Sequence, residues 1–132
     1  MKLIISNAPR TKKNHGHVVR VRGRQFHMPS KAWQKWCDDA KITIPDYRMP
    51  HWGWNGIGPD VLLPDQALNC AAVFYRDARR GDAVGYYQGL ADLLEKRHIV
   101  TNDSQIVSWN GSRMELDSAN PRTEIELSEV GV

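Results

Sequence analysis

No run in this 132-residue chain approaches the ~18 apolar residues that a membrane-spanning helix needs, so no membrane partner is expected. Cysteine is scarce: Cys37 and Cys70 stand far apart, with no CxxC pattern. Both fall in apolar surroundings, which points to buried free thiols in a reducing cytosol over a disulfide or a zinc site. There is no GxSxG, no P-loop and no dinucleotide fingerprint. No repeat or low-complexity segment interrupts the chain. The opening MKLIIS is too short for a signal peptide and lacks a small-residue cleavage site; it reads as a first strand. What remains is ordinary globular composition, 41% apolar and 25% charged, at a length that suits one domain.

Charge is where the chain is uneven. The net charge is only +3, yet residues 1–48 hold 11 Lys+Arg against 3 acids, and residues 49–132 hold 7 against 12. This asymmetry predicts a basic surface built by the N-terminal third and an acidic site built later. Such a surface attracts a polyanion, of which nucleic acid is the commonest; the alternative is a solvated hairpin and helix. Arg10, Lys12 and Lys13 lie in a polar loop after the strand Leu3-Ile4-Ile5. Residues 18–28 read as a hairpin turning at Gly23, with Val19 and Val21 on one face and Arg20 and Arg22 side by side on the other. That spacing suits successive phosphates. His15, His17 and His27 are scattered around this hairpin without ligand spacing and read as DNA-facing or solvated.

A helix follows, with Ser30 as N-cap and Ala32, Trp33, Trp36, Cys37 and Ala40 on its buried face. Residues 45–64 form an irregular loop in which Trp52 and Trp54 flank Gly53. This pair reads either as a platform for unpaired bases or as packing. Residues 66–75 read as a central strand and residues 83–95 as a second helix, weakened by Gly85 and Gly89. Those two glycines would let another backbone approach, that of a dimer mate or of DNA. Asn110-Gly111 predicts a hairpin joining the strand 106–109 to residues 112–116, and residues 123–127 alternate as a last strand. The element order predicts an α+β domain: a mixed sheet with two main helices packed on one side.

The chemistry concentrates in residues 79–106, RRGDAVGYYQGLADLLEKRHIVTNDSQI. Asp82 stands at the helix start and Asp103 before a strand. If the chain doubles back at Arg97 and His98, both carboxylates can meet at one end of the sheet as a hard-cation site. Equally, Asp82 serves as a helix cap and Asp103 as a turn former. Arg79 and Arg80 beside them suggest a phosphate substrate.

This stretch resembles the core signature of the RusA family of Holliday junction resolvases. Asp82 falls on that family's first acid and Asp92 on its helix Asp. Asp103-Ser104-Gln105-Ile106 falls on its closing element, and the spacing between Asp82 and Asp103 fits without a gap. Four positions depart from the pattern. Val84 stands where the second acid belongs, Gly85 where the Asn belongs, Gln88 where the Lys belongs, and Asn102 where the first acid of the closing pair belongs. The resemblance implies a homodimeric, magnesium-dependent endonuclease, manganese being a possible substitute ion, that nicks branched DNA at four-way junctions. Asp82 and Asp103 would be its metal-binding and catalytic acids. Arg10, Lys12, Lys13, Arg20, Arg22, Arg79 and Arg80 would face branched or duplex DNA.

Overall fold

The computed structural model describes residues 1–12, 17–28, 30–45, 61–79 and 81–131. Residues 46–60 of the predicted 45–64 loop, with Trp52 and Trp54, lie outside them, as do Lys13, His15 and Arg80.

Period-2 alternation builds the main sheet. β1 (Lys2–Ser6), β5 (Leu68–Arg76) and β8 (Arg122–Glu129) bury alternate residues: Leu3 and Ile5, then Leu68, Cys70, Ala72 and Phe74, then Thr123, Ile125 and Leu127. Their registers agree, since Leu3 and Ala72 both sit opposite Ile125, and Ile5 and Phe74 both sit opposite Thr123. A one-residue slip would turn these side chains to the other face. The short strand β4 (Ile42–Thr43) pairs antiparallel with β1, giving the order β4-β1-β8-β5-β6. β6 (Ile106–Ser108) and β7 (Arg113–Leu116) pair parallel to β5, so the sheet is mixed.

Both helices add to one core on the buried face. α1 (Lys31–Asp39) is capped by Ser30, whose Oγ accepts from the Trp33 N–H. It buries Trp33, Trp36 and Cys37. Ala32, expected on that face, is exposed, because the stripe toward the sheet starts at Trp33. α2 (Ala83–Lys96) buries Tyr86, Leu90, Ala91, Leu93 and Leu94. Arg97 ties the helices together, donating from its guanidinium to the Cys37 and Ala40 carbonyls at 3.0 and 2.8 Å. Both cysteines are free and buried, and burial pushes each thiol up to about 12. The α+β architecture predicted from the element order is the one observed.

Three local expectations are corrected. First, Gly85 and Gly89 do accommodate a close approach, but from the chain's own segment. A Cβ on Gly89 would lie 2.8 Å from the Arg10 carbonyl oxygen, and one on Gly85 would lie 3.1 Å from Thr11 Cγ2. Second, Asn110-Gly111 does not make a hairpin. β6 and β7 do not pair with each other; both follow the same edge of β5 in the same direction. In the interruption, side chains replace the ladder. Asn69 donates to the Asn110 carbonyl and accepts from the Asn110 N–H, while Ser112 Oγ accepts from the Ala72 N–H and donates to the Cys70 carbonyl. Third, β2 (His17–Val21) ends one residue before Arg22. Arg22 (φ +51°) and Gly23 (φ +78°) form the two-residue turn into β3 (Arg24–Met28), so Arg22 is at the tip and not beside Arg20.

Candidate functional site

α2 carries the site from end to end. Asp82 starts it: its Oδ1 accepts from the Gly85 N–H at 2.8 Å, the N-cap bond that an Asp at this position makes. At the far end the helix closes through bonds from the His98 N–H to the Glu95 carbonyl and from the Ile99 N–H to the Leu94 carbonyl. His98 takes the left-handed conformation (φ +61°) that such a close requires. The chain therefore reverses where the sequence placed the reversal. Its return is fixed by Leu62 and Leu63, whose N–H groups donate to the His98 and Ile99 carbonyls.

The return delivers a 3₁₀ turn at Asp103–Gln105. Four side-chain bonds through Gln105 hold it in place. Gln105 Oε1 accepts from the N–H groups of Thr101 and Asn102 at 2.7 and 3.1 Å, and its Nε2 donates to the carbonyls of Leu63 and Gln66 at 2.8 and 3.1 Å. Asn102 Oδ1 caps the turn by accepting from the Ser104 N–H. An acid at this position would cap through the same oxygen, so Asn and Asp are interchangeable for the local geometry. From the helix side, Glu95 accepts from the Asp103 N–H at 3.1 Å. Sequence reasoning passed over Gln105 and Glu95 as anchors. The capping pattern of Asn102 with Gln105 three residues later was the available signal.

Between this turn and α2 lies an open depression of about 500 Å³. Asp103 and Ser104 line one side, Val84, Gln88 and Ala91 the helix side, and Tyr87 and Trp109 the aromatic wall. Two of the departures from the family pattern, Val84 and Gln88, thus face the same space as Asp103. Asp82 is not in the lining. At ~1.5 Å of rise per residue, Asp82, Val84 and Gln88 stand about 20, 16 and 10 Å along the axis from Glu95, the residue that holds Asp103. Asp103, Gln88 and Val84 line one depression that runs along the helix, and Asp82, at the helix cap, is outside its lining.

The other carboxylates near α2 are engaged. Asp77 takes both Arg10 nitrogens at 3.2 Å, and Asp92 takes Lys12 Nζ at 3.0 Å. Lys12 also lies 5.1 Å from the Trp33 ring centre. Lys96 pairs with Asp38 at 3.2 Å. By contrast, no hydrogen bond or ion pair among the described residues engages the carboxylate of Asp103, the amide of Gln88 or the hydroxyl of Ser104.

The cationic residues divide into two kinds. Arg10 and Lys12 are half-buried and neutralised by their partners. Arg20, Arg22 and Arg79 are exposed. Arg24, which was not singled out from the sequence, is exposed opposite Val21. The hairpin forms its own two-stranded sheet, unpaired with the main one, and residues 20–25 are all exposed. Arg20, Arg22 and Arg24 therefore surround its tip. No family model and no curated protein matches this chain in direct comparison.

Proposed function

We propose that the chain is a RusA-like DNA-junction-binding protein of recombination and repair, acting as a homodimer, with Asp103 in the depression that meets the DNA. The observation that carries this reading is the two-stranded hairpin, separate from the main sheet, whose exposed tip presents Arg20, Arg22 and Arg24 to a polyanion. The reaction the resemblance implies is magnesium-dependent nicking of a four-way junction, with Asp82 and Asp103 as its acids.

Magnesium commonly needs only one or two carboxylates, with water and substrate phosphates completing its octahedron. Among the described residues no group of three or more His, Cys, Asp or Glu is placed to hold an ion. The depression supplies one carboxylate, and Asp82 uses one oxygen as a cap. These donors do not make a resident magnesium site on their own. A second reading, binding of branched DNA without cutting, is favoured by Val84 and Gln88 standing in the depression where the family places an acid and a Lys.

One experiment separates the two. A labelled four-way junction is incubated with the protein over a magnesium and manganese titration, and binding is followed in parallel by anisotropy. Nicking that disappears in Asp82→Asn or Asp103→Asn supports the endonuclease. Binding without nicking, converted to nicking by Val84→Asp with Gln88→Lys, supports the second reading. Each Arg→Ala change at the hairpin tip should lower the slope of log affinity against log salt by about 1. If neither junction nor duplex binds at low salt, both readings fall.

A further inference from the structure

The depression beside Asp103 has a wall that phosphate chemistry does not use. Phe74, fully buried, contacts Tyr87 at 6.0 Å between ring centres, and Tyr87 stacks on Trp109 at 4.6 Å with only 9° between the planes. This series of rings starts in the core and ends at the half-buried Trp109, in the lining of the depression. The same lining carries three polar groups that no described residue engages: the Gln88 amide, the Asp103 carboxylate and the Ser104 hydroxyl. A planar ligand with donors and acceptors on its edge matches both features at once. An amide pairs in bidentate fashion with an adenine edge, and a carboxylate accepts from an exocyclic amine. A flat aromatic ring extends an existing stack at little conformational cost. A phosphate without a bridging cation matches neither, since an apolar wall and an unpaired carboxylate both disfavour an anion.

We propose that this depression is a nucleobase pocket, in which Trp109 stacks on an unpaired base while Gln88, Asp103 and Ser104 hydrogen-bond its edge. The proposal rests on the reading of the chain as a binder of branched DNA. It makes the pocket a sensor of unpaired bases at a branch point, while the hairpin arginines hold the duplex arms.

The test compares two four-way junctions that differ at one residue: a single unpaired adenine at the branch point, or an abasic residue in its place. Affinity is measured by anisotropy. The wild-type protein should prefer the adenine junction by about tenfold or more, the range that base–aromatic stacking supplies. Trp109→Ala should remove the preference, lowering affinity for the adenine junction and leaving the abasic one unchanged. Because Trp109 also packs on Tyr87, the second variant is Gln88→Ala, an exposed helix position that leaves the fold intact. It should narrow the preference severalfold. Equal wild-type affinity for both junctions overturns the pocket and leaves the DNA-binding reading standing. A change in sedimentation of Gln88→Ala without any base preference gives the depression to a second copy of the chain and also overturns it. Failure to bind either junction at low salt overturns the DNA-binding reading and the pocket together.

Discussion

Replacing Gly89 by Ala sets two effects of known size against each other. In a helix interior, Ala is favoured over Gly by ~1 kcal/mol, so a reading of α2 from propensity alone expects stabilisation. The packing says otherwise. The new Cβ would lie 2.8 Å from the Arg10 carbonyl oxygen and 3.4 Å from two atoms of the Trp33 ring. The first contact is with backbone, in a segment held by buried Pro9, by the bond from the Ser30 hydroxyl to the Thr11 carbonyl, and by the Arg10–Asp77 pair. It has no rotamer with which to retreat. Overpacking of this kind costs ~1–3 kcal/mol. Moving the Arg10 segment or the Trp33 ring also strains the buried bond from Trp33 Nε1 to the Gly89 carbonyl, 3.0 Å long. A buried donor left without its acceptor costs ~1–3 kcal/mol more. Against the propensity gain, the net effect is a loss of about 3 kcal/mol, or roughly 11 °C in Tm for a domain of this size. Urea unfolding followed by far-UV circular dichroism measures it directly. An unchanged or raised midpoint for Gly89→Ala would refute the claim that the N-terminal segment seats against this glycine.

Two further outcomes follow from the geometry of the turns. Gln105→Ala removes the four side-chain bonds that hold the Asp103 turn, so it should lower stability by about 1–3 kcal/mol and speed amide exchange at Thr101 and Asn102, read by hydrogen-exchange NMR. Asp117 accepts from Arg122 and from the Asn120 N–H, and these bonds, the Arg122 one first, hold its carboxyl below the usual carboxylate range. Its contribution is therefore complete above that range and is lost as pH falls through the lowered folded value. The stability gap between the wild type and Asp117→Asn should be widest at neutral pH and close on acidification; a gap independent of pH would contradict this.

The elements that sequence reasoning located share one property: their signals are local. Ser30 before an apolar 3–4 spacing marks α1, alternation marks β1, β5 and β8, and Asp82 marks the start of α2. What it left unspecified depends chiefly on partners distant in the chain. Arg10 and Lys12 read as surface charge, but their partners Asp77 and Asp92 lie 67 and 80 residues away. Asn110-Gly111 specifies a tight turn without specifying which edge the next strand joins; Asn69 and Ala72, some 40 residues earlier, decide that. Arg22 was placed in the strand because alternation continues through it, while the two-residue turn needs its left-handed backbone. At the candidate site, Asp103, Val84 and Gln88 were marked by the resemblance. Tyr87 and Trp109 were not, because their stacking joins a helix to the end of a strand.

The way the Asp103 turn is hung has a mechanical outcome. Its described hydrogen bond to the helix is the one to Glu95, while α2 is seated nearer its start by Gly85 and Gly89 against Thr11 and Arg10, and by Asp92 on Lys12. Between those contacts the helix is fixed by its buried Tyr86, Leu90, Leu93 and Leu94 and, past its end, by Arg97 on the Cys37 and Ala40 carbonyls. The opening in which Asp103 stands is therefore set from the turn's side: loosening the four Gln105 bonds changes it while the helix stays where it is.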